Sequence, residues 1–177
     1  MTMKTFEELK TEMLGKYESF WHACYAAEIV HKFDEIGREM LGRYESLGDA
    51  YYAAKIVHYY GDIGREMLGR YESLEDARRA TETVHEYGEL GREMLGKYEK
   101  LGRAYLAARV AHYYGELGRE MLGKHDDPLD ARRAAETVHE FGDLGREKLK
   151  RCKSVWDADK AARRAAKKLH RSQQLAA

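Results

Sequence analysis

Residues 62–88 read Asp62-Ile-Gly-Arg-Glu-Met67-Leu-Gly-Arg-Tyr71-Glu-Ser73-Leu-Glu-Asp76-Ala77-Arg-Arg-Ala80-Thr-Glu-Thr-Val84-His85-Glu-Tyr87-Gly88. The Met-Leu-Gly-(Lys/Arg) tetrapeptide in this stretch recurs at a constant spacing of 27, at Met13, Met40, Met67, Met94 and Met121. A histidine and an aromatic residue keep the same step, at His31, His58, His85, His112 and His139 and at Phe33, Tyr60, Tyr87, Tyr114 and Phe141. A fixed period of this length is typical of stacked helical units.

Each unit is predicted to contain two short helices. The first has an apolar face at Ile63, Met67, Tyr71 and Leu74, with the steps of four and three that mark one side of a helix. The second begins at Ser73, which resembles the N-cap of a capping box with Asp76. It ends at Gly88, which suits a left-handed C-cap. In the fifth unit Asp127 and Pro128 mark the same start, as N-cap and first helical residue.

One continuous helix per unit, packed as an up-and-down bundle of long antiparallel helices, is the alternative. The units alternate, since residues 50–60 resemble residues 104–114 whereas residues 77–87 resemble residues 131–141, and antiparallel neighbours could produce that pattern. Glycines in mid-helix weigh against it, as does Pro128; they are Gly42, Gly69, Gly96 and Gly123. The favoured prediction is an all-α fold, a short right-handed α-solenoid of stacked helical hairpins.

The segment Leu41-Gly-Arg-Tyr44-Glu-Ser-Leu-Gly48-Asp49-Ala50-Tyr51-Tyr52 resembles the passage from helix A to helix B in tetratricopeptide and Sel1-like repeats. Its leucine-glycine pair stands one residue closer to the following tyrosine than in a tetratricopeptide unit, and the unit is shorter. The resemblance implies a scaffold that binds proteins, without naming a ligand.

The repeats predict one domain spanning residues 1–177. Its approximate units are residues 9–35, 36–62, 63–89, 90–116 and 117–143, followed by a degenerate unit and a basic C-terminal helix in residues 144–177. Residues 162–170 resemble residues 131–139 at a spacing of 31 instead of 27. This spacing predicts that the last helix is shifted from the register of the repeat by about one helical turn. Residues 155–169 are predicted to cap the array, with the lysines outward and with an inner face at Trp156, Ala161, Ala165 and Leu169.

Composition narrows the class of protein. Hydrophobic residues make up 44% and charged residues 35% of the chain, which excludes a disordered polymer and a membrane protein. No signal-peptide core is recognised, and Cys24 and Cys152 predict neither a disulfide framework nor a zinc site, so we expect a cytoplasmic protein. The net charge of zero hides an asymmetry. Residues 148–177 hold ten Lys or Arg and two Asp, a charge of +8, and the preceding residues hold 21 and 29, a charge of −8.

Three motifs that resemble catalytic sites are interpreted as products of the repeat. Residues 91–97 have the spacing of a phosphate-binding loop, but Tyr98 follows and no strand precedes. His85 and Glu86 lack the second histidine of a metalloprotease helix. Repeats about 10 Å apart cannot bring their histidines to one metal ion, whose ligands lie about 2 Å from it. Each histidine is predicted to bond to a neighbouring Tyr or Glu, with a pH-sensitive stack as the alternative. No catalytic residue, cofactor or metal site is predicted.

Two sets of residues are candidates for partner binding. Exposed aromatics are typical of binding surfaces, and the tyrosines whose positions are charged in alternate units are Tyr51, Tyr52, Tyr59, Tyr105 and Tyr113. Paired basic residues bind carboxylates or phosphates, and they are Arg78, Arg79, Arg132, Arg133, Arg163 and Arg164, with Lys167 and Lys168. Local ion pairs with Glu82 and Glu136 are the alternative for the arginines.

These residues favour a non-enzymatic scaffold for protein or peptide interaction or for self-association as a homo-oligomer. Nucleic-acid binding through the basic C-terminal helix and the paired arginines is the alternative, and no membrane partner is expected. The similarity of the units is also consistent with recent duplication or with design, in which case the chain would have no native ligand.

Overall fold

The computed structural model describes residues 4–176, and these residues form eight α-helices joined by short turns. The helices are α1 (Phe6–Leu14), α2 (Phe20–Arg43), α3 (Leu47–Arg70), α4 (Leu74–Tyr87), α5 (Glu89–Lys97), α6 (Leu101–Lys124), α7 (Pro128–Arg151) and α8 (Val155–Ala176). The predicted all-α class is confirmed. Helices that are neighbours in sequence pack together: α1 with α2, α2 with α3, α5 with α6, α6 with α7, and α7 with α8.

The predicted helix starts are confirmed by hydrogen bonds at their caps. The Ser46 hydroxyl accepts from the backbone N–H of Asp49 at 3.4 Å, and the Ser73 hydroxyl stands in the same relation to Asp76. The Asp127 carboxylate accepts from the N–H of Leu129 at 3.0 Å. Such bonds satisfy N–H groups that the first turn of a helix leaves without partners.

A single residue with positive φ interrupts the helical backbone once in each unit. Gly61 has φ 57° and ψ −129°, and positive φ recurs at Asp34, Gly88, Gly115 and Gly142. Residues with a Cβ rarely adopt positive φ, which accounts for glycine at four of the five sites. Gly88 ends α4, as predicted, but its ψ of −133° differs from the left-handed helical conformation predicted for it.

The chain folds back at these residues. A Cβ atom placed on Gly64 would lie 2.9 Å from the carbonyl oxygen of Ile56, although residues eight apart in a straight helix are separated by about 12 Å. The corresponding distance is 2.7 Å from Gly37 to Ile29. Each long helix is therefore a hairpin, with a first segment before the residue of positive φ and a second segment after it. These hairpins are residues 20–43, 47–70, 101–124 and 128–151.

Two sequence arguments about where the helices break were wrong. The glycines placed in mid-helix by the sequence argument, Gly42, Gly69, Gly96 and Gly123, lie one residue before the ends of helices. A Cβ on any of them would meet nothing within 4 Å, so these exposed last turns tolerate glycine. Tyr71, predicted on the same helical face as Met67, is the C-cap residue of α3.

Small residues line the core of each hairpin. In α3 the first segment buries Ala50, Ala53, Ala54 and Val57, and the second buries Gly64, Met67 and Leu68. Residues Ala77, Ala80, Val84 and Tyr87 form the predicted buried stripe of α4. Alanine and glycine let two helical segments approach closely, and the methionines fill the remaining space.

The chain divides into two compact parts, each longer than a repeat unit, Met1–His85 and Glu86–Ala177. The single repeat domain stays a prediction from the sequence. None of the helices in residues 4–176 combines the length and the apolar composition needed to cross a membrane.

The C-terminal helix keeps the register of the repeat. The Ser154 hydroxyl accepts from the N–H of Asp157 at 3.1 Å, and this cap follows the one at Asp127 at the constant spacing of 27. In both α7 and α8 the residues four and eight positions after the cap are buried, Ala131 and Ala135 in α7 and Ala158 and Ala162 in α8. The echo at a spacing of 31 therefore does not mark the structural register.

The predicted inner face of this helix was also wrong. Trp156 is 53% exposed and Leu169 is 58% exposed, because the cap at Ser154 directs Val155, Ala158 and Ala162 against α7 instead. Ala161 and Ala165 are only partly buried.

Candidate partner-binding surface

Three of the tyrosine candidates and four of the arginine candidates occupy equivalent positions in successive first segments. The repeat spacing of 27 relates Tyr51, Arg78, Tyr105 and Arg132, and the same step relates Tyr52 to Arg79. The sequence suggested two kinds of face, but these arginines occupy the repeat positions of Tyr51 and Tyr52, whereas Arg163, Arg164, Lys167 and Lys168 do not. Within Met1–His85 the structure brings tyrosines and an arginine to one groove.

This groove lies between α3 and α4 and has a volume of about 670 Å³. Its lining consists of Asp49, Tyr52, Lys55, Ile56, Tyr59 and Tyr60 from α3 and Leu74, Glu75, Arg78 and Glu82 from α4. Tyr52 and Tyr59 are 59% and 65% exposed, whereas Ile56 is buried beneath them. We call this site the tyrosine groove.

The arginines of α4 are held by carboxylates of the same helix. Arg78 donates to Glu75 at 3.0 Å and 3.1 Å and also to Glu82. Arg79 donates to Glu75 at 2.9 Å. Hydrogen bonds from Arg78, followed by those from Arg79, lower the pKa of Glu75 to about 2. The predicted local pairing of Arg78 with Glu82 is thus present, and the cation without an ion pair among the described residues of this groove is Lys55.

Tyr51 is fixed by its neighbours. The Lys32 ammonium donates to its hydroxyl at 2.8 Å, which raises the pKa of Lys32. Its ring stacks on Tyr25 with centroids 6.1 Å apart and meets the edge of Phe33 at 5.4 Å. Tyr51 therefore supports the adjacent Tyr52, whose ring lies at 6.0 Å.

Sequence reasoning missed three exposed aromatic residues in the first unit, Phe20, Trp21 and Tyr25. Phe20 and Trp21 meet edge to face at 6.2 Å. Tyr25 precedes Tyr52 by one repeat, so extending the alternating pattern back by one unit would have identified it. No repeat signal identifies Trp21, because the equivalent residue of the next unit is Gly48.

A smaller groove in Glu86–Ala177 is formed by the equivalent residues two repeats further along the sequence. It has a volume of about 320 Å³ and is lined by Arg109, Val110, Tyr113 and Tyr114 from α6 and by Arg132 and His139 from α7. The Arg109 guanidinium lies 5.6 Å from the centre of the Tyr113 ring, a cation–π contact. Tyr105 lies apart from this groove, packed edge to face on Tyr87 at 5.6 Å.

The other paired arginines also have partners within the chain. Arg132 donates to Glu136 at 2.8 Å, as predicted for a local ion pair. Arg133 lies over the Trp156 ring at 3.3 Å, and Arg163 pairs with Glu140 at 2.9 Å. By contrast, the side chains of Arg164, Lys167 and Lys168 are exposed and form no ion pair with any described residue.

The predicted bonding of the repeated histidines to Tyr or Glu was wrong, because within residues 4–176 these histidines contact aromatic rings and form no hydrogen bond to Tyr or Glu. Each meets the aromatic residue 25 positions earlier, in the pairs Phe6–His31, Phe33–His58, Tyr60–His85, Tyr87–His112 and Tyr114–His139. The ring centres are between 5.2 Å and 5.9 Å apart. Over residues 4–176 no three His, Cys, Asp or Glu side chains converge as a metal site requires.

The chemistry offered by these surfaces is that of noncovalent binding. Exposed aromatic rings over an apolar floor contact apolar side chains, and the charged rim selects among ligands by charge. No family model, curated protein or solved structure matches this chain. The resemblance to tetratricopeptide and Sel1-like repeats stays a prediction from the sequence.

Proposed function

We propose that this protein is a non-enzymatic helical-repeat scaffold that binds peptide segments of other proteins in the tyrosine groove. The observation that carries the proposal is the pair of exposed rings, Tyr52 and Tyr59, beside the apolar side chains of Ile56 and Leu74 in a groove of about 670 Å³. This volume falls within the range of about 300–1,000 Å³ that ligand sites occupy.

Tyrosine suits this role for energetic reasons. It presents a large rigid surface and loses little conformational entropy when a ligand covers it. Tyrosines at the centre of an interface commonly contribute about 2 kcal/mol each. Two such residues supply about 4 kcal/mol, half of the about 8 kcal/mol that micromolar binding requires, and the other contacts of the groove must supply the rest.

One cation of the groove, Lys55, can meet a ligand carboxylate, although the lining as a whole carries three carboxylates (Asp49, Glu75 and Glu82) and two cations (Lys55 and Arg78). The guanidinium of Arg78 is already neutralised by Glu75 and Glu82, so it offers little to an incoming anion. Lys55 has no ion pair among the described residues and lies beside the two exposed tyrosines. A peptide with an apolar or aromatic residue next to Asp or Glu matches this arrangement.

We also propose that the hairpins continue as a short right-handed α-solenoid, in preference to a bundle of long straight helices. The reversal of the chain at Gly61 and the close approach of Gly64 to Ile56 support hairpins as the repeating element. The constant period of the sequence supports the same stacking of each hairpin on the next.

Selection from a displayed library of random peptides tests the binding function. The matched variant carries Tyr52→Arg and Tyr59→Glu, which reproduce the residues that the next unit places there, Arg79 and Glu86. Because the fold already accepts those residues, the variant is expected to fold. Tyr113→Glu is the control, since it makes an equivalent change in the other groove.

We expect peptides with an apolar residue beside an acidic residue to be enriched on the wild-type protein. Their affinity should fall at least about tenfold on the double variant, equivalent to about 1.4 kcal/mol, and should be unchanged by Tyr113→Glu. A library that yields no peptide above the background of the double variant would contradict the proposed function.

A further inference from the structure

The C-terminal helix carries a row of cations that its own fold does not use. Lys160, Arg164, Lys167, Lys168 and Arg171 follow steps of four, three, one and three residues and so share one side of α8. All five are exposed, and none forms an ion pair with a described residue. We call them the basic stripe.

The packing of α8 depends on other residues. Val155, Ala158 and Ala162 are buried against α7. Arg163 pairs with Glu140 at 2.9 Å and with Asp159 at 3.1 Å. The basic stripe is therefore free to meet another molecule without disturbing these contacts.

In Glu86–Ala177, the part of the chain that contains α8, the second segments of the hairpins begin with acidic residues. Glu89, Glu116 and Asp143 each follow a residue with positive φ, at the turn where a first segment gives way to a second segment. All three are exposed, and neither Glu116 nor Asp143 is ion-paired with a described residue. We call these three residues the acidic tips. Glu89 pairs with Arg92 at 3.3 Å. The position of the acidic tips at a helix N-terminus also stabilises the helix, but it leaves the carboxylates of Glu116 and Asp143 open to a partner.

The basic stripe and the acidic tips match in length and in charge. Eleven residues separate Lys160 from Arg171, a rise of about 16 Å along a helix. Neighbouring packed helices lie about 10 Å apart, so three successive tips span about 20 Å. Residues 148–177 carry a charge of +8 and residues 1–147 carry −8, so two copies of this chain attract each other through these parts.

We propose that the basic stripe of one chain docks on the acidic tips of a second copy. A reciprocal pair satisfies both stripes at once and closes the assembly as a dimer. The charge of −8 outside the C-terminal segment repels a polyanion, which favours a second copy over a nucleic acid as the partner of the stripe.

Light scattering of the full chain tests this inference at about 0.02 M and about 0.5 M salt, where exposed charges are weakly and strongly screened. The stripe variant carries Arg164→Glu, Lys167→Glu and Lys168→Glu. The tip variant carries Glu116→Lys and Asp143→Lys. The control carries Glu99→Lys and Asp126→Lys, the same change of charge in the turns at the other end of the hairpins. Circular dichroism establishes that each variant is folded.

We expect the wild type and the control to be dimers at low salt and monomers at high salt. The stripe variant and the tip variant should each associate at least about tenfold more weakly, as expected when several exposed ion pairs are lost. Mixed together they should form a hetero-dimer, because their reversed charges are again complementary. Should the reversed stripe compromise folding, Arg164→Gln, Lys167→Gln and Lys168→Gln provide the same test by removing charge alone.

Three results would overturn the inference. The first is a wild type that stays monomeric at low salt. The second is a tip variant that dimerises like the wild type. The third is a monomeric chain that binds a single-stranded oligonucleotide with affinity falling steeply with salt, which would assign the stripe to nucleic acid.

Discussion

Replacing Gly64 by alanine should destabilise the protein, because the hairpin leaves no space for a methyl group there. The new Cβ would lie 2.9 Å from the carbonyl oxygen and 3.2 Å from the carbonyl carbon of Ile56. Backbone atoms cannot rotate away as a flexible side chain does, so the two segments of α3 must separate. Overpacking of this kind costs about 1–3 kcal/mol.

The helical preference of alanine offsets part of that cost. Alanine is favoured over glycine inside a helix by about 1 kcal/mol. We therefore expect Gly64→Ala to lower the free energy of unfolding by up to about 2 kcal/mol. Gly69→Ala is the matched control in the same helix, since a Cβ there would meet nothing within 4 Å. It should leave stability unchanged or raise it by up to about 1 kcal/mol.

Urea unfolding followed by circular dichroism measures both variants on one scale. A shift of about 1 kcal/mol corresponds to roughly 2–4 °C in Tm for a chain of this size, so thermal melts give an independent reading. If Gly64→Ala stabilised the protein as much as Gly69→Ala, α3 would not be folded back, and the hairpin as the repeating element would be refuted.

Four further experiments examine other parts of the fold. Tyr87→Phe should change stability by less than about 1 kcal/mol in urea unfolding, because Tyr105 and Glu86 interact with the buried hydroxyl but no described residue meets it in good hydrogen-bond geometry. A loss above about 1 kcal/mol would show that one of them forms a full hydrogen bond. Pro128→Ala should change the unfolding free energy by less than about 1 kcal/mol, since this proline starts a helix. A gain of about 3 kcal/mol would indicate that the proline lies in a helix interior. Deletion of residues 62–88 in frame should leave a folded chain with a lower Tm, and an unfolded product would show that the repeat is not a removable module. Hydrogen bonds from Arg38, Lys4 and Lys16 lower the pKa of Glu12 to about 2 from its ordinary 4.5. The contribution of this carboxylate to stability is therefore present above pH 4.5 and is lost as the pH falls towards 2. Glu12→Gln should reduce the difference between the unfolding free energies at neutral pH and at about pH 3, and an unchanged difference would contradict this.

Local signals in the sequence were sufficient to predict where helices begin. Ser73 and Asp127 cap helices in the structure as their sequence patterns predicted, because capping depends only on residues within one turn. Gly88 ends α4 for the same local reason, its tolerance of positive φ.

Contacts between segments could not be predicted from those signals. Gly64 and Gly69 look alike in the sequence, yet only Gly64 lies against another backbone. The inner face of α8 was mispredicted because apolar residues at helical spacing, Trp156 and Leu169, suggested a core that the cap at Ser154 does not produce.

The candidate site was predicted residue by residue but not as a surface. Tyr52 and Arg78 belong to different units and to different chemical classes, so no sequence pattern joins them. The structure brings both to one groove between α3 and α4. Helical spacing predicted Glu82 as a partner of Arg78 but not Glu75. The support of Tyr51 by Lys32 depends on contacts between α2 and α3.

Chemical-shift mapping with the peptide selected in the tyrosine groove is the most direct test of the proposed function. The peptide is titrated into isotope-labelled protein while the backbone amide resonances are followed. We expect the largest shifts at Tyr52, Ile56, Tyr59 and Leu74, the residues that line the groove, and no shift along α8. Shifts that fall on α8 while those four residues stay unchanged would contradict binding in the tyrosine groove.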